Sequence, residues 1–149
     1  MGEIMKYIRR IVVHHSASNN PEHDDIRVID EWHKERGWRQ VGYHFFIQKD
    51  GWTQMGRMEN KQGAGVKRYN EHSIHICLSG DAKFTLSQII SLDSLVSSLK
   101  ERYPNVKAIK GHKHYNPTTE CPGMDICDST GEYIWGPDKL LKRVDYEEE

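Results

Sequence analysis

The sequence predicts a single α/β domain in which helices flank a central mixed β-sheet. The chain has 149 residues, a length that suits one domain and can bury a substantial core. Short runs of β-branched and aromatic residues, which are typical of strands, alternate with stretches of helical periodicity. No repeat, linker or low-complexity segment divides the chain, so one α/β domain is the simplest account.

The first strand and the first helix are predicted near the N-terminus. Residues 8–16 contain a β-branched run that ends in polar residues, which predicts a strand. Residues 24–37 carry apolar side chains at helical spacing and predict an amphipathic helix, with Asp24 or Asp25 as its N-cap and Gly37 at its end.

A hairpin and a long loop are predicted next. Residues 41–48 and 52–57 have the composition of strands, and a Lys-Asp-Gly turn over 49–51 joins them. Residues 61–72 are polar and contain glycine, which predicts a loop. Long loops of this kind are either functional or mobile.

The second half of the chain adds two predicted strands and the clearest helix. Residues 73–79 and 106–112 predict the strands. Residues 85–104 place apolar side chains along one face of a helix. Thr85 and Gln88 have the spacing of a capping box, which marks the beginning of this helix.

The composition excludes several classes of function. The net charge is −1, which gives no general attraction to nucleic acid or to acidic membranes. Charged residues recur up to Arg10, unlike the apolar run of a signal peptide, and no segment approaches the length of a membrane span. We therefore expect a protein made in the cytoplasm without a signal peptide, with no nucleic-acid partner and no membrane insertion.

The cysteines and histidines favour metal chemistry over disulfide chemistry. The three cysteines, Cys77, Cys121 and Cys127, cannot all pair within one chain. Their odd number and the absent signal peptide argue against a disulfide framework, with a Cys121–Cys127 disulfide as the minor alternative. Nine histidines are a high number for this length, which raises the expectation of a metal site.

Two places in the chain offer metal ligands. A late loop carries His112, His114 and Cys121, and the first predicted strand ends in His14 and His15. A catalytic zinc takes three protein ligands and leaves a fourth position for water or substrate, so one cysteine and two histidines fit. Only one of two neighbouring strand residues can face a given site. The spacing does not choose within either histidine pair.

Five segments, in order along the chain, resemble the zinc-dependent N-acetylmuramoyl-L-alanine amidases of the T7 lysozyme and peptidoglycan recognition protein type. They read IVVHHSAS, EWHKERGW, VGYHFFIQKDG, YNEHSIHICLSG and GHKHYNPTTECPG. The resemblance implies an endolysin-like enzyme that cleaves the amide bond between N-acetylmuramic acid and L-alanine in peptidoglycan. It also implies one Zn²⁺ per chain, at one face of the sheet.

The resemblance assigns roles residue by residue. It implies His14, His112 and Cys121 as the metal ligands, with Tyr43 and Thr119 as catalytic residues. The Tyr43 hydroxyl and the ion would stabilise the oxyanion, while Thr119 is a neutral hydrogen-bond donor that cannot act as a base at neutral pH. If the backbone is extended there, Thr119 and Cys121 face the same way.

The sequence departs from the family pattern in three places. His75 replaces the small residue that is usual at its position, and Gly65 stands where the phage enzyme has a cleft-lining histidine. The late loop also has one additional residue between His112 and Cys121, which leaves His114 as an alternative ligand.

Two residues are expected to bind substrate. Trp52 follows the hairpin turn and offers a sugar-stacking surface. His75 is also expected to line the cleft and bind substrate, and the alternative is that it only packs in the interior. Alternation along the strands places His15 on the face opposite the site and His44 on the side opposite Tyr43, so both are expected to be structural.

Two alternatives accompany the enzyme hypothesis. A non-catalytic peptidoglycan-binding module of the same fold is the first, but such relatives tend to lose the cysteine ligand, and this chain keeps Cys121. A structural zinc protein is the second, and His114 would then close the metal as a fourth ligand.

The domain is expected to span residues 1–149. The motif-bearing core covers about 8–123, and a helical extension covers about 124–149, including a terminal helix over 137–149. We expect a monomer whose partner is peptidoglycan and which reaches the bacterial cell wall by release or delivery.

Overall fold

Seven strands and three α-helices form the described part of the chain, which comprises residues 7–127, 129–133 and 146–147 of this computed structural model. The strands are β1 (Arg10–His15), β2 (Phe45–Ile47), β3 (Thr53–Met55), β4 (Ser73–Leu78), β5 (Phe84–Thr85), β6 (Ala108–Gly111) and β7 (Tyr146–Glu147). The helices are α1 (Ile26–Glu35), α2 (Leu86–Arg102) and α3 (His112–Tyr115), and a 3₁₀ turn covers Pro21–His23.

The main sheet has five strands in the order β3-β2-β4-β1-β6. β1 runs parallel to β4 and β6, and β2 runs parallel to β4, while β3 is antiparallel to β2. β5 and β7 pair separately as a two-stranded parallel sheet. The prediction of an α/β domain with a mixed sheet flanked by helices is confirmed.

Local capping interactions determine where the two longer helices begin. The carboxylate of Asp25 accepts a hydrogen bond from the amide of Arg27 and caps α1. Thr85 and Gln88 form both halves of the capping box at the start of α2. Gly37, just beyond the end of α1, has φ of +94°, a left-handed conformation that favours glycine. These predictions are confirmed.

Different helices cover the two faces of the main sheet. The face toward α2 holds most of the apolar core, which includes Ile11, Val13, Phe45, Ile47, Ile74, Ile76, Leu78, Leu92, Val96 and Leu99. The face toward α1 carries Phe46 and Cys77, packed against apolar side chains of that helix. His14 lies beside Cys77 in the parallel ladder, so His14 belongs to the α1 face.

The predicted strand over 41–48 forms only between Phe45 and Ile47. The amide of Val41 donates to the carboxylate of Asp30 at 2.6 Å, and the amide of Gly42 donates to Nδ1 of His33 at 2.8 Å. Side chains of α1 therefore satisfy amide groups that a longer strand would have used in its ladder.

In the C-terminal third, one short helix was not predicted and one prediction is wrong. Residues 112–115, at the beginning of the late loop, form α3. Residues 124–127 are not helical, and residues 146–147, expected in a terminal helix, form β7 instead. The remainder of the prediction over 137–149 lies outside the described residues. Within the described ranges, no helix has the length and apolar character needed to cross a membrane.

Candidate metal centre and active site

His14, His112 and Cys121 converge where β1 and β6 end. Each offers one ligand atom, and these atoms all lie within 4.8 Å of one another. Sγ of Cys121 is 3.7 Å from Nδ1 of His14, and a tetrahedral metal with ordinary bond lengths would separate such a pair by about 3.6 Å. The three side chains therefore fit a shared metal ion, and three protein ligands are typical of a catalytic site.

The parallel pairing of β1 with β6 brings these distant residues together. Val13 lies opposite Gly111 in the ladder, so the next residues, His14 and His112, are neighbours at the ends of their strands. Their ring centroids are 5.0 Å apart. Cys121 returns to the same place because its carbonyl accepts a hydrogen bond from an α3 amide at 2.8 Å.

Burial sets the protonation of the three candidate ligands. It lowers the pKa of His14 well below its ordinary value, with His75 and His112 adding to the effect. Burial also lowers the pKa of His112, so both imidazoles are neutral at pH 7, the form that binds metals. Burial raises the pKa of Cys121 to about 11, while a hydrogen bond from the His15 amide opposes the shift. A bound cation would ionise this thiol.

Tyr43 lies beside the cluster, and its ring centroid is 4.8 Å from that of His14. His33 on α1 also contacts Tyr43, with 5.3 Å between the ring centroids. Burial raises the pKa of Tyr43 well above its ordinary value. The phenol therefore keeps its proton at neutral pH and can donate a hydrogen bond.

Thr119 adjoins Cys121 but not for the reason expected from the sequence. The segment is folded into turns rather than extended, and the Cys121 amide donates to Oγ1 of Thr119 at 3.2 Å. That contact occupies one acceptor position of the hydroxyl and leaves its O–H able to donate. Glu120, between the two residues, is exposed.

His75 is buried beside the candidate ligand His14 rather than exposed on the cleft surface. It is 0% exposed, and its Nδ1 is 2.9 Å from Nε2 of His14. The predicted contact of His75 with substrate does not fit this position. His44, expected on the opposite side from Tyr43, instead stacks on His75 with 3° between the rings. Strand alternation does not apply to Tyr43 and His44, because β2 begins only at Phe45.

Trp52 and His114 lie apart from the three converging ligands. Trp52 is 69% exposed and precedes the edge strand β3, three strand spacings or roughly 14 Å from β1. His114 is exposed on α3 and, within the described part of the chain, is not a member of the ligand cluster. The site thus provides no support for His114 as a third or fourth ligand.

Cys77, Cys121 and Cys127 form no disulfide with one another. The alternative of a Cys121–Cys127 disulfide is therefore wrong for this structure. Sγ of Cys127 contacts the carbonyl of Ile109 at 3.3 Å instead.

A His-His-Cys cluster with two buried members and a neighbouring phenol, at the end of parallel strands, is the arrangement of a metal-dependent hydrolase. The sequence profile of the N-acetylmuramoyl-L-alanine amidase family matches residues 5–124. The chain therefore belongs to the N-acetylmuramoyl-L-alanine amidase family, and it is a peptidoglycan amidase.

Curated relatives agree with this assignment. The endolysin of Escherichia phage T7 is 40% identical over 124 residues, which cover 78% of this chain and 81% of that protein. Peptidoglycan-recognition protein SC2 of Drosophila melanogaster is 31% identical over 134 residues, covering 83% and 72% of the two chains.

A solved structure shares the fold. N-acetylmuramoyl-L-alanine amidase LysC from Clostridium intestinale superposes with a TM-score of 0.73 at 37% identity, and the match covers 80% of this chain and 79% of that one.

Proposed function

We propose that this amidase is a zinc enzyme in which His14, His112 and Cys121 hold one Zn²⁺ per chain. The observation that carries the proposal is the convergence of their three ligand atoms within 4.8 Å. Two imidazoles and one thiolate suit zinc, since zinc accepts both nitrogen and sulfur ligands in a tetrahedral site. The scissile bond joins the lactyl group of N-acetylmuramic acid to L-alanine.

When bound, the ion supplies Lewis acidity and a water whose pKa falls toward about 7. Tyr43 donates its O–H to the amide oxygen as negative charge develops there, and its raised pKa keeps the proton available. A typical donor of this kind contributes about 3 kcal/mol to transition-state stabilisation. Thr119 acts as a second, neutral donor. Its Oγ1 also accepts a hydrogen bond from the Cys121 amide, and this bond holds the loop that carries the thiolate.

Peptidoglycan is the proposed substrate, and release or delivery to the cell wall is the proposed route to it. The enzyme is proposed to be a monomer, and a single domain is proposed to span residues 1–149. Trp52 is proposed to contact a saccharide or peptide unit distant from the scissile bond. Its exposed fraction of 69% and its separation of roughly 14 Å from β1 by strand spacing support this proposal.

Digestion of purified peptidoglycan with and without a zinc chelator tests the proposed function. Mass spectrometry should find stem peptides with a free L-alanine amino group and an intact glycan. The chelator should abolish their release, and added Zn²⁺ should restore it. Unchanged peptidoglycan that nevertheless retains the protein would instead favour the binding module, and chelator-resistant cleavage would exclude the zinc mechanism.

A further inference from the structure

His75 and His14 form a buried side-chain pair on the α1 face of the sheet. β4 and β1 are adjacent parallel strands, and the two rings meet with Nδ1 of His75 2.9 Å from Nε2 of His14. The exposed fractions are 0% for His75 and 1% for His14. Both nitrogens of His14 are thus engaged, since its Nδ1 faces Sγ of Cys121 at 3.7 Å.

The hydrogen bonds behind this pair hold it in place. The backbone amide of His75 donates to Nδ1 of His44 at 3.0 Å, so the proton of a neutral His44 is on Nε2. That nitrogen in turn lies 2.8 Å from the carbonyl of Lys61, to which it donates. The His44 ring stacks on the His75 ring. His75 is therefore fixed from its backbone and from one ring face.

The tautomer of His14 decides whether it can bind a metal through Nδ1. Nδ1 offers a lone pair only if the proton of the neutral ring is on Nε2. That proton can then be donated to Nδ1 of His75, 2.9 Å away, provided that the proton of the neutral His75 ring is on its own Nε2. In the opposite tautomer, Nδ1 of His14 carries the proton toward Cys121 and cannot be a ligand. An acceptor at residue 75 therefore favours the ligand form of His14.

Two glycines provide the space for the pair. A Cβ atom at Gly65 would lie 2.6 Å from Nδ1 of His75 and 2.8 Å from Nε2 of His14, and one at Gly63 would lie 2.8 Å from the His75 ring. The loop is held over the rings because Oδ1 of Asn70 accepts from the amide of Gly65 at 2.9 Å. A side chain at residue 65 and an imidazole at residue 75 exclude each other in this geometry.

We propose that His75 is a positioning residue: it accepts a hydrogen bond from Nε2–H of His14 and thereby leaves Nδ1 of His14 free to bind the metal. The absence of a side chain at Gly65 provides the space that this contact requires. The departures of residues 65 and 75 from the family pattern are then a single coupled change. The proposal rests on the metal site of the proposed function. It gives His75 a role in orienting a metal ligand rather than in binding substrate.

Zinc affinity of the purified protein, measured by competition with a chromophoric chelator, tests the proposal without reference to activity. His75→Phe keeps a ring but removes the acceptor, and we expect the Kd for Zn²⁺ to rise roughly 10–100-fold. His75→Asn retains an acceptor near the same place and should stay within about fivefold of the wild type. His23→Phe changes a histidine outside the cluster and serves as the matched control. Unchanged affinity in His75→Phe would overturn the proposal.

A double-mutant cycle separates positioning from packing. Gly65→Ala should raise the Kd for Zn²⁺ in both backgrounds, because the added Cβ would also lie 2.8 Å from Nε2 of His14. The increase should be at least about fivefold smaller in a His75→Gly background, because coupling between residues 65 and 75 requires contact. Equal effects of Gly65→Ala in the two backgrounds would contradict the coupled pair.

Nuclear magnetic resonance of the wild-type imidazoles with Zn²⁺ added gives a further test that needs no variant. The proposal requires the His14 proton on Nε2, and a proton on Nδ1 of His14 in the zinc-loaded protein would overturn it. A wild-type chain that binds no zinc would overturn the metal site, and the His75 proposal with it. Normal zinc binding that does not change when residue 75 is replaced would overturn the His75 proposal alone.

Discussion

The sulfur atom of Cys121 lies 3.7 Å from Nδ1 of His14, although 107 positions separate the two residues in the chain. The amide of His15 donates to the same sulfur at 3.3 Å. A buried thiol with two nitrogen neighbours becomes a strong ligand once a cation removes its proton. The proposed zinc site depends on this contact, and most of the following predictions concern the residues around it.

Replacement of the thiol should remove both metal and activity. We expect Cys121→Ala to lose stoichiometric zinc and to release no stem peptides above background, because two imidazoles alone form an incomplete site. Cys127→Ala, which removes a thiol outside the ligand cluster, is the control and should keep both. Metal content and peptidoglycan digestion check the prediction. Stoichiometric zinc in Cys121→Ala would point to another ligand, with His114 the nearest candidate on the loop.

Removal of the phenol should separate catalysis from metal binding. Tyr43→Phe should retain zinc and lose about 100-fold or more in kcat, the usual effect of deleting a donor to a developing oxyanion. Tyr103→Phe is the matched control, since the Tyr103 hydroxyl bonds to Glu59 at 2.7 Å on another part of the surface. Steady-state kinetics on a muramoyl peptide provide the measurement. A kcat equal to that of the wild type would exclude the proposed role of Tyr43.

The hydroxyl of Thr119 is expected to matter more than its methyl group. Thr119→Val deletes the O–H donor and leaves the Cys121 amide without its acceptor, so we expect roughly a tenfold loss of kcat, equivalent to one neutral hydrogen bond. Thr119→Ser keeps the hydroxyl and should stay near wild-type activity. If the valine and serine variants show the same rate, the hydroxyl has no catalytic part.

The exposed indole of Trp52 should affect substrate binding but not the chemical step. Trp52→Ala is expected to raise KM several-fold on polymeric peptidoglycan and to leave kcat unchanged, because a stacking contact contributes about 1–3 kcal/mol at most to binding. Met55→Ala, at 71% exposure on the same edge of the sheet, controls for loss of apolar surface. Identical KM values for Trp52→Ala and wild type would remove Trp52 from the substrate site.

The N-cap of α1 should contribute stability that depends on pH. Hydrogen bonds from Arg27 lower the pKa of Asp25 to about 2. Because the folded-state pKa is below the unfolded value, the contribution is complete above about pH 4 and declines as the pH falls toward 2. We expect Asp25→Ala to reduce the free energy of unfolding by about 1 kcal/mol at pH 7 and by less at pH 2.

Urea denaturation at the two pH values measures this difference. Glu31→Ala replaces an exposed acid within the same helix and should have a much smaller effect, since it removes no cap. An equal loss at pH 2 and pH 7 for Asp25→Ala would show that the carboxylate charge is not responsible.

Several elements were predictable because the interactions that form them are local. The capping box of Thr85 and Gln88 involves residues three positions apart, and its geometry is as expected. The N-cap at Asp25 and the helix end at Gly37 also depend on near neighbours. A resemblance carried by five ordered segments was sufficient to name His14, His112 and Cys121 as ligands, and these are the residues that converge.

Predictions failed where distant groups compete for the backbone. The strand expected from residue 41 begins only at Phe45, since side chains of α1 take the amide hydrogen bonds of residues 41 and 42. Alternation consequently placed His44 on the wrong side. No helix was expected in the late loop, yet it folds into α3 and turns that return Cys121 to β1.

The sequence by itself determined the fold class, the positions of α1 and α2, and the family, because these follow from periodicity, capping and short motifs. Only the tertiary structure decided what the unusual residues do. Whether His75 lines a cleft or supports His14 depends on the register of β4 with β1 and on the approach of the loop at Gly65. Such contacts join residues about 50–60 positions apart, and no local pattern encodes a distance that is set by the packing of the whole sheet.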